Sequence, residues 1–511
     1  MTVSRYILIA TLAFLILIAK HFRGRKRERT LDAIPTIGAT GPFSFITNRW
    51  NFLRNARDIF QEGYDKYRGG VYKVQSLHSW MVAITSPKLI EDMRKIPDEY
   101  LSSLEAVVDL ISMDYTVGKP MHHDPYQVSV VKGSMTRNIT VRFSEVRDEI
   151  VAAFSELLPP QDAWVPTKLN PLMAKIICRA SNRFFVGLPL CRNEDYIDLN
   201  VGFAMQVAIS GQLIGLFPDF IKPIAGKILS PLPRNLKRAN KHLGPLIQER
   251  FSQEKEYGTT DWPDKPNDLL SWLLDVATGS QRTMDDLTMR VLAVNFGAIH
   301  TTLLTLTSTL NYLCRYPQYI DILRAEIETV TEEHGWTKQA MGRMRKFDSF
   351  LKEVQRVEPA ACFGVLRKVM KDYTFADGTT VPTGVTVGIP IRAIQRDDCY
   401  YPDGNTFNGL RFYEMREGDG ESLKHQMVTP TSDYFLFGSG RHACPGRFFA
   451  VNELKALVAH MLLTYDIKVE REGGAEMKWL AANAIQDNDV HFLFRKRHTN
   501  MNVVCNEHGG A

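Results

Sequence analysis

Apolar and polar positions divide the chain into stretches of different period. Residues 6–19, YILIATLAFLILIA, are apolar at every position except Thr11. Extended from Val3 to Phe22, the run reaches the roughly twenty residues a membrane span needs, with Arg5 and Lys20 able to reach the two interfaces. Residues 68–87, RGGVYKVQSLHSWMVAITSP, read as two short strands around a turn, and SPKLIEDMRK then opens a helix. Residues 140–255 are mostly helical in pattern, broken at Pro159-Pro160 and around Pro218. Thr283 starts a long helix with no breaker before Pro317: its side chain suits the N-cap, and Asp285 and Asp286 suit the positive end. About thirty helical residues span roughly 45 Å, enough to cross a whole domain. Residues 367–390 alternate again, with Asp-Gly and Pro-Thr-Gly turns, as hairpin strands do. A last amphipathic helix follows Pro445, a residue suited to the first helical position.

No Gly/Ser-rich or Pro-rich linker interrupts the chain beyond residue 50, and there is no internal repeat. One large, mainly helical domain is the simplest fit. Its seven cysteines lack C-x-x-C spacing, so they offer neither a zinc site nor a disulfide framework and suit a reducing compartment. The net charge of +5 is localised. Residues 20–29, KHFRGRKRER, hold six Lys/Arg and one Glu, and the rest is close to neutral. A nucleic-acid partner needs basic residues spread along a face and is therefore excluded. The basic block follows the apolar run directly, without a small-residue cleavage site, which favours a retained anchor over a signal peptide. Basic flanks stay cytoplasmic, so the body faces the cytosol and the sequon at Asn138 stays silent. Four units result: an anchor at 1–22, the basic block and a Pro/Gly hinge at 23–45, a catalytic domain at 46–495 and a tail at 496–511. The hinge, AIPTIGATGPF, holds Pro35, Gly38, Gly41 and Pro42 and is expected to form neither helix nor strand.

The densest chemistry lies at residues 437–446, FGSGRHACPG. Cys444 precedes a helix, where the dipole favours an anion and lowers a thiol pKa. Arg441 and Arg447 add positive charge. Gly440 and Gly446 allow a sharp turn and close approach to a flat ligand. GSGRHA, residues 438–443, also matches a dinucleotide fingerprint, G-x-G-x-x-A, with Asp466 in the place of its ribose acid. Only 45 residues follow Asp466, too few for the remaining βα units. The other six cysteines read as buried, inert side chains.

The pattern F-x-x-G-x-[R/H]-x-C-x-G resembles the haem-ligand loop of the cytochrome P-450 monooxygenases, with His442 in the Arg/His position. The resemblance implies a mainly α fold, a helical prism with a small β-rich lobe, behind an N-terminal transmembrane helix. It implies haem b, with Cys444 as axial ligand and Phe437, Gly440, His442 and Gly446 around it; a thiolate there favours O–O cleavage. The centre of the long helix, NFGAIHTTLLTLTST, resembles the family's oxygen-activating motif. Thr301 takes the place of its threonine, Ala298 of a small residue, and His300 of the usual acid, a departure that puts the proton route in doubt. Glu353 and Arg356 of EVQR, with Arg411 of FNGLRF, match the family's buried triad. Arg367 matches an arginine on a haem propionate. The family's W-x-x-x-R is missing, so Lys132 takes the second propionate role, with Arg137, His122 and His123 as further candidates. The apolar residues 203–232 resemble a mobile lid over a lipophilic substrate, able to dip into the bilayer. FGAIHTT and RHACPGRFFA are most similar to fungal microsomal members. The implied activity inserts one atom of O2 into a lipophilic molecule, a terpenoid or other secondary-metabolite intermediate. Electrons come from NADPH–cytochrome P-450 reductase, with cytochrome b5 as a further partner, at the endoplasmic reticulum membrane. The reductase would dock near Arg441, Arg447 and Lys455. Alternatives are an O2-independent rearrangement or dehydration, and a non-catalytic haem carrier or sensor.

Overall fold

A computed structural model describes residues 30–41, 44–471, 477–485, 487 and 490–498. The anchor, the basic stretch up to residue 29 and most of the tail lie outside the described residues.

Helices dominate, and one organises the rest. Met284–Arg315 runs 32 residues, capped by the Thr283 hydroxyl, which accepts the Asp286 amide at 3.2 Å. It ends at Tyr316, ahead of Pro317, as expected from a residue that cannot continue a helix. Leu169–Phe185, Glu194–Gly215, Leu232–Tyr257, Arg345–Val357 and Arg447–Thr464 all pack on it. Their shared apolar faces form the main core, from Ile139 and Phe143 through Leu292 and Leu303 to Leu457 and Met461. The region 140–255 breaks where the prolines predict: Thr136–Leu157 stops before Pro159, and Glu194–Gly215 before Pro218.

The β-rich lobe is a six-stranded mixed sheet: β1 (Thr36–Ile37), β2 (Val71–Gln75), β3 (Trp80–Ile84), β4 (Leu101–Ser102), β5 (Gly364–Val369) and β6 (Thr386–Ile389), in the spatial order β1-β2-β3-β6-β5-β4. The expected hairpin of residues 68–87 is β2–β3, antiparallel. β6 joins β3 in parallel, Val387 opposite Val82. Val82, Ile84, Val387 and Ile389 thereby form a second core with Leu31 and Phe435.

Two expected boundaries are corrected. The Pro/Gly hinge contains β1, parallel to β2, and buries Leu31, Ile34 and Ile37. Proline and glycine spacing alone hid these three anchors, which pack into two hydrophobic clusters beside the sheet. At the other end, Lys496 closes the strand His491–Lys496 and Arg497 pairs with Glu328 at 2.7 Å. The folded unit therefore includes residues from both the hinge and the tail.

Candidate functional site

The cysteine loop is closed by its own backbone. The Cys444 amide donates to the Phe437 carbonyl at 2.7 Å, and the Arg447 guanidinium to the Cys444 carbonyl at 2.9 Å. Gly440 has φ +58°, and Gly438 has φ +76° with a would-be Cβ 3.2 Å from the His442 carbonyl oxygen. A side chain is thus disfavoured twice over at Gly438, which the sequence reading passed over. Gly446 needs no left-handed backbone; its would-be Cβ meets only Val131, at 3.6 Å.

The helix Arg447–Thr464 starts at once, and the Gly446 and Arg447 amides at its start favour the Cys444 anion. The expected low thiol pKa is not found. Burial raises it, and the two amides and the Arg447 charge offset this only in part. These donors nonetheless favour a thiolate once a metal displaces the proton. The donor set fits an iron–sulfur bond from Cys444.

Beside the loop lies a cationic cluster. Arg367 is buried on β5; its Nη1 donates to the Leu366 carbonyl and its Nη2 has no hydrogen-bond partner. Burial lowers its pKa to about 10, against the pull of Asp98. An irregularity between Gly364 and Arg367 includes Val365 at φ +52°, a strained setting for a β-branched residue. Such bulges re-aim side chains next to functional sites. Asp98 sits 2.9 Å from His442 Nε2 and 3.1 Å from Arg441 Nη2. Burial and the charge of Arg367 push the His442 pKa down. Two arginines and a histidine against one aspartate leave positive charge and a free buried donor, which fits a haem propionate. Lys132 is exposed, next to the Val131 that touches Gly446.

The triad is complete. Arg356 Nε and Nη2 reach the two Glu353 oxygens at 2.7 and 2.8 Å. Its other donors reach the carbonyls of Gln395 (2.5 Å), Gly404 (2.7 Å) and Thr406 (3.3 Å). All five donors of the guanidinium are thus used. Arg411 Nε joins Glu353 Oε1 at 3.1 Å. Gln395, missed by the sequence reading, also accepts the Phe435 amide and so ties the triad to the approach of the cysteine loop.

On the central helix, Gly297 and Thr301 are exposed while Asn295, Ile299, Thr302 and Leu303 are buried. A Cβ at Gly297 would touch nothing within 4 Å. One face of the central helix is therefore open at its middle. The Thr301 hydroxyl donates to the Gly297 carbonyl at 2.8 Å and reaches the Ala298 carbonyl at 3.3 Å. Its lone pairs remain to accept from a donor on the open side. His300 does not converge with it: the ring Nε2 meets the Val201 carbonyl of Glu194–Gly215 at 2.9 Å.

Comparison with known proteins decides the family. The Cytochrome P-450 family model matches residues 40–483. The chain belongs to the cytochrome P-450 family. Cytochrome P-450 monooxygenase 151 of Postia placenta is 40% identical over 473 residues, covering 92% of this chain and 95% of the relative. Cytochrome P-450 monooxygenase paxQ of Penicillium paxilli is 30% identical over 482 residues, covering 92% and 93%. The retinoic-acid-bound cyanobacterial CYP120A1 structure superposes with a TM-score of 0.65 at 16% identity, covering 91% of this chain and 98% of that one. The fold is thus the mainly helical P-450 fold with small sheets, and the protein is a P-450 monooxygenase, an oxidoreductase. Membership implies a haem–thiolate cofactor, O2, a small-molecule substrate and a redox partner.

In this P-450, two sequence expectations fail on charge. Lys455 is buried and pairs with Asp348 at 2.7 Å, so it cannot meet a redox partner. His122 lies between Asp114 (2.9 Å) and Glu105 (2.8 Å), whose negative charges would repel a propionate.

Proposed function

We propose that this P-450 is a haem b monooxygenase, with Cys444 as axial ligand, acting on a lipophilic substrate of the terpenoid or related secondary-metabolite class. One observation carries the reading: a cysteine held in a backbone-closed loop at a helix start, beside a buried, half-unpartnered arginine. Haem bound there supplies the oxygen chemistry. The chain's residues do the rest. Phe437, Gly440, His442 and Gly446 shape the loop; Arg367 and Lys132 would hold the propionates. Thr301 accepts a hydrogen bond on the open face of the central helix and positions a proton donor there. His300 is held at Val201 and reaches that route only through water.

The lid supports a lipophilic substrate and membrane contact. Met205, Ile209 and Leu213 repeat every four residues on one exposed helix face, and Phe220, Ile224 and Ile228 are exposed in the turn and helix that follow. Exposed apolar side chains concentrated in one segment are of the kind that marks ligand or membrane contact. With the apolar N-terminal run, this supports a single-pass protein of the endoplasmic reticulum membrane with its catalytic domain in the cytosol. NADPH–cytochrome P-450 reductase, and cytochrome b5 with it, would approach the cysteine side at the exposed Arg441. Fungal relatives over nearly the whole chain support the fungal microsomal reading.

The test joins spectroscopy to turnover. The reduced carbon monoxide complex is expected to show the red-shifted Soret band of thiolate ligation, lost in Cys444→Ala and kept in Cys399→Ala and Cys362→Ala. A normal band in Cys444→Ala overturns the ligand assignment. Microsomes with reductase, NADPH and a terpenoid panel, read by mass spectrometry, are expected to give products one oxygen heavier. Product formation without O2 would instead select the rearrangement reading.

A further inference from the structure

The segment between β4 and the helix Thr136–Leu157 holds a cluster that the haem site does not use. Glu105 lies on the helix Ser103–Ile111, Asp114 just after its end, and His122 and His123 on the short helix Lys119–His123. His122 Nε2 faces Glu105 Oε1 at 2.8 Å, and its Nδ1 faces Asp114 Oδ1 at 2.9 Å. The His123 ring stacks on His122 with centroids 4.3 Å apart. One ligand atom from each of Asp114, His122 and His123 lies within 4.8 Å of the other two.

The geometry points to a binding site for a divalent transition-metal ion of the zinc class, with Asp114, His122 and His123 as ligands and Glu105 orienting His122 from behind. A ligating histidine commonly donates its second N–H to a carboxylate, which fixes the tautomer and raises its basicity. Glu105 stands in that place. Nδ1 of His122 and the Asp114 oxygen face each other at 2.9 Å, and an ion held by both would replace the hydrogen between them. Two imidazoles bound at about 2.0–2.1 Å to one ion bring their ring centres to within about 5 Å of each other. The observed separation already meets this, and the exposed His123 ring can rotate its nitrogen inward.

Charge favours a divalent ion. Lys368 neutralises Asp109 at 2.8 Å and comes only within 4.0 Å of Glu105. Glu105 and Asp114 remain against a single imidazole. A proton on His122 balances one of them; a doubly charged ion balances both. Ser112, between the two helices, donates to the Gly211 carbonyl at 2.9 Å. An ion here would join both halves of the segment at a point where it already grips the lid helix.

The test counts zinc on full-length, tag-free holoenzyme. Equilibrium dialysis against zinc chloride, with metal read by mass spectrometry per protein chain, is expected to give one ion that Asp114→Asn, His122→Ala and His123→Ala each remove. Glu105→Gln is expected to weaken it about 10–100-fold. Affinity should fall from pH 7.5 to pH 6, because protons compete for the ring. His123 is exposed, so its variant reports on binding without a folding defect; haem content checks the others. Equal zinc in His123→Ala and wild type overturns the site. No zinc on wild type also overturns it, leaving a protonated His122 clasped by two carboxylates. Neither outcome depends on what the haem site oxidises.

Discussion

The cysteine side of this P-450 and its lid side are built on opposite terms. On the cysteine side, the helix Arg345–Val357 is buried without interruption from Phe347 to Val357, although it carries Asp348, Lys352, Glu353 and Arg356. Each charge has a partner: Arg356 uses every donor, and Asp348 is held by Lys455 and Arg416. Lys352 lies 4.5 Å from both the Phe412 and Tyr434 rings, and burial lowers its pKa to about 7. On the lid side the reverse holds, with apolar side chains in solvent. Ile228 is 76% exposed, whereas Arg356 is 0% exposed. Buried charges have one good arrangement, because any other strands them. Exposed apolar groups have many arrangements of similar energy. The first favours a single fixed geometry, the second a surface that can change its arrangement.

The largest expected effect attacks the rigid side. Arg411→Ala removes one partner of a fully buried carboxylate, a change that costs about 3–5 kcal/mol. That is a large share of a typical stability of about 5–15 kcal/mol. Poorly folded, haem-poor protein is expected; full haem incorporation at an unchanged melting temperature would show that the triad is not what locks this side. Next comes Thr301→Ala, which should fold and bind haem but waste electrons. The ratio of product to NADPH consumed should fall several-fold as hydrogen peroxide rises. His300→Ala should fall less, and unchanged coupling in Thr301→Ala would make its hydroxyl a helix-bending feature only.

Glu453 gives a pH-dependent test within the core. It is fully buried, the Ser181 hydroxyl donates to it at 2.6 Å, and burial raises its pKa to about 8. The unfolded chain releases this proton near pH 4.3, so between there and about pH 8 the folded state binds more protons and stability falls as pH rises. Glu453→Gln keeps a group for Ser181 and removes the titration. Its melting temperature should exceed that of wild type by more at pH 8 than at pH 5; an equal difference would mean the carboxyl is not held neutral. The smallest effect belongs to the lid. Ile224→Ser with Ile228→Ser, in protein lacking residues 1–29, should lower residual sedimentation with membranes while leaving the carbon monoxide spectrum intact. Unchanged sedimentation would place membrane contact elsewhere.

Local signals carried far in this chain. The uninterrupted helix from Thr283 to Pro317, the strand pair before Pro87 and the helix breaks near Pro159 and Pro218 are written in period and breaker residues, and the tertiary structure keeps them all. The cysteine loop was equally legible, because a left-handed turn, a thiol and a helix start must be adjacent in sequence to work together. What sequence could not show was where burial overrules local chemistry. It raised the Cys444 thiol against its helix start, hid Lys455 behind Asp348, and turned His300 to Val201 and away from Thr301. Asp98, Gln395 and Asp348 had no signature, since their partners lie tens to hundreds of residues away. The sequence by itself determined which segments fold as helix or strand and which cysteine sits in a tight turn ahead of a helix. Only the tertiary structure decided which charges are paired, which are left free, and which face of the central helix stays open. Those properties depend on what packs against each group, and packing joins residues that the local pattern never brings together.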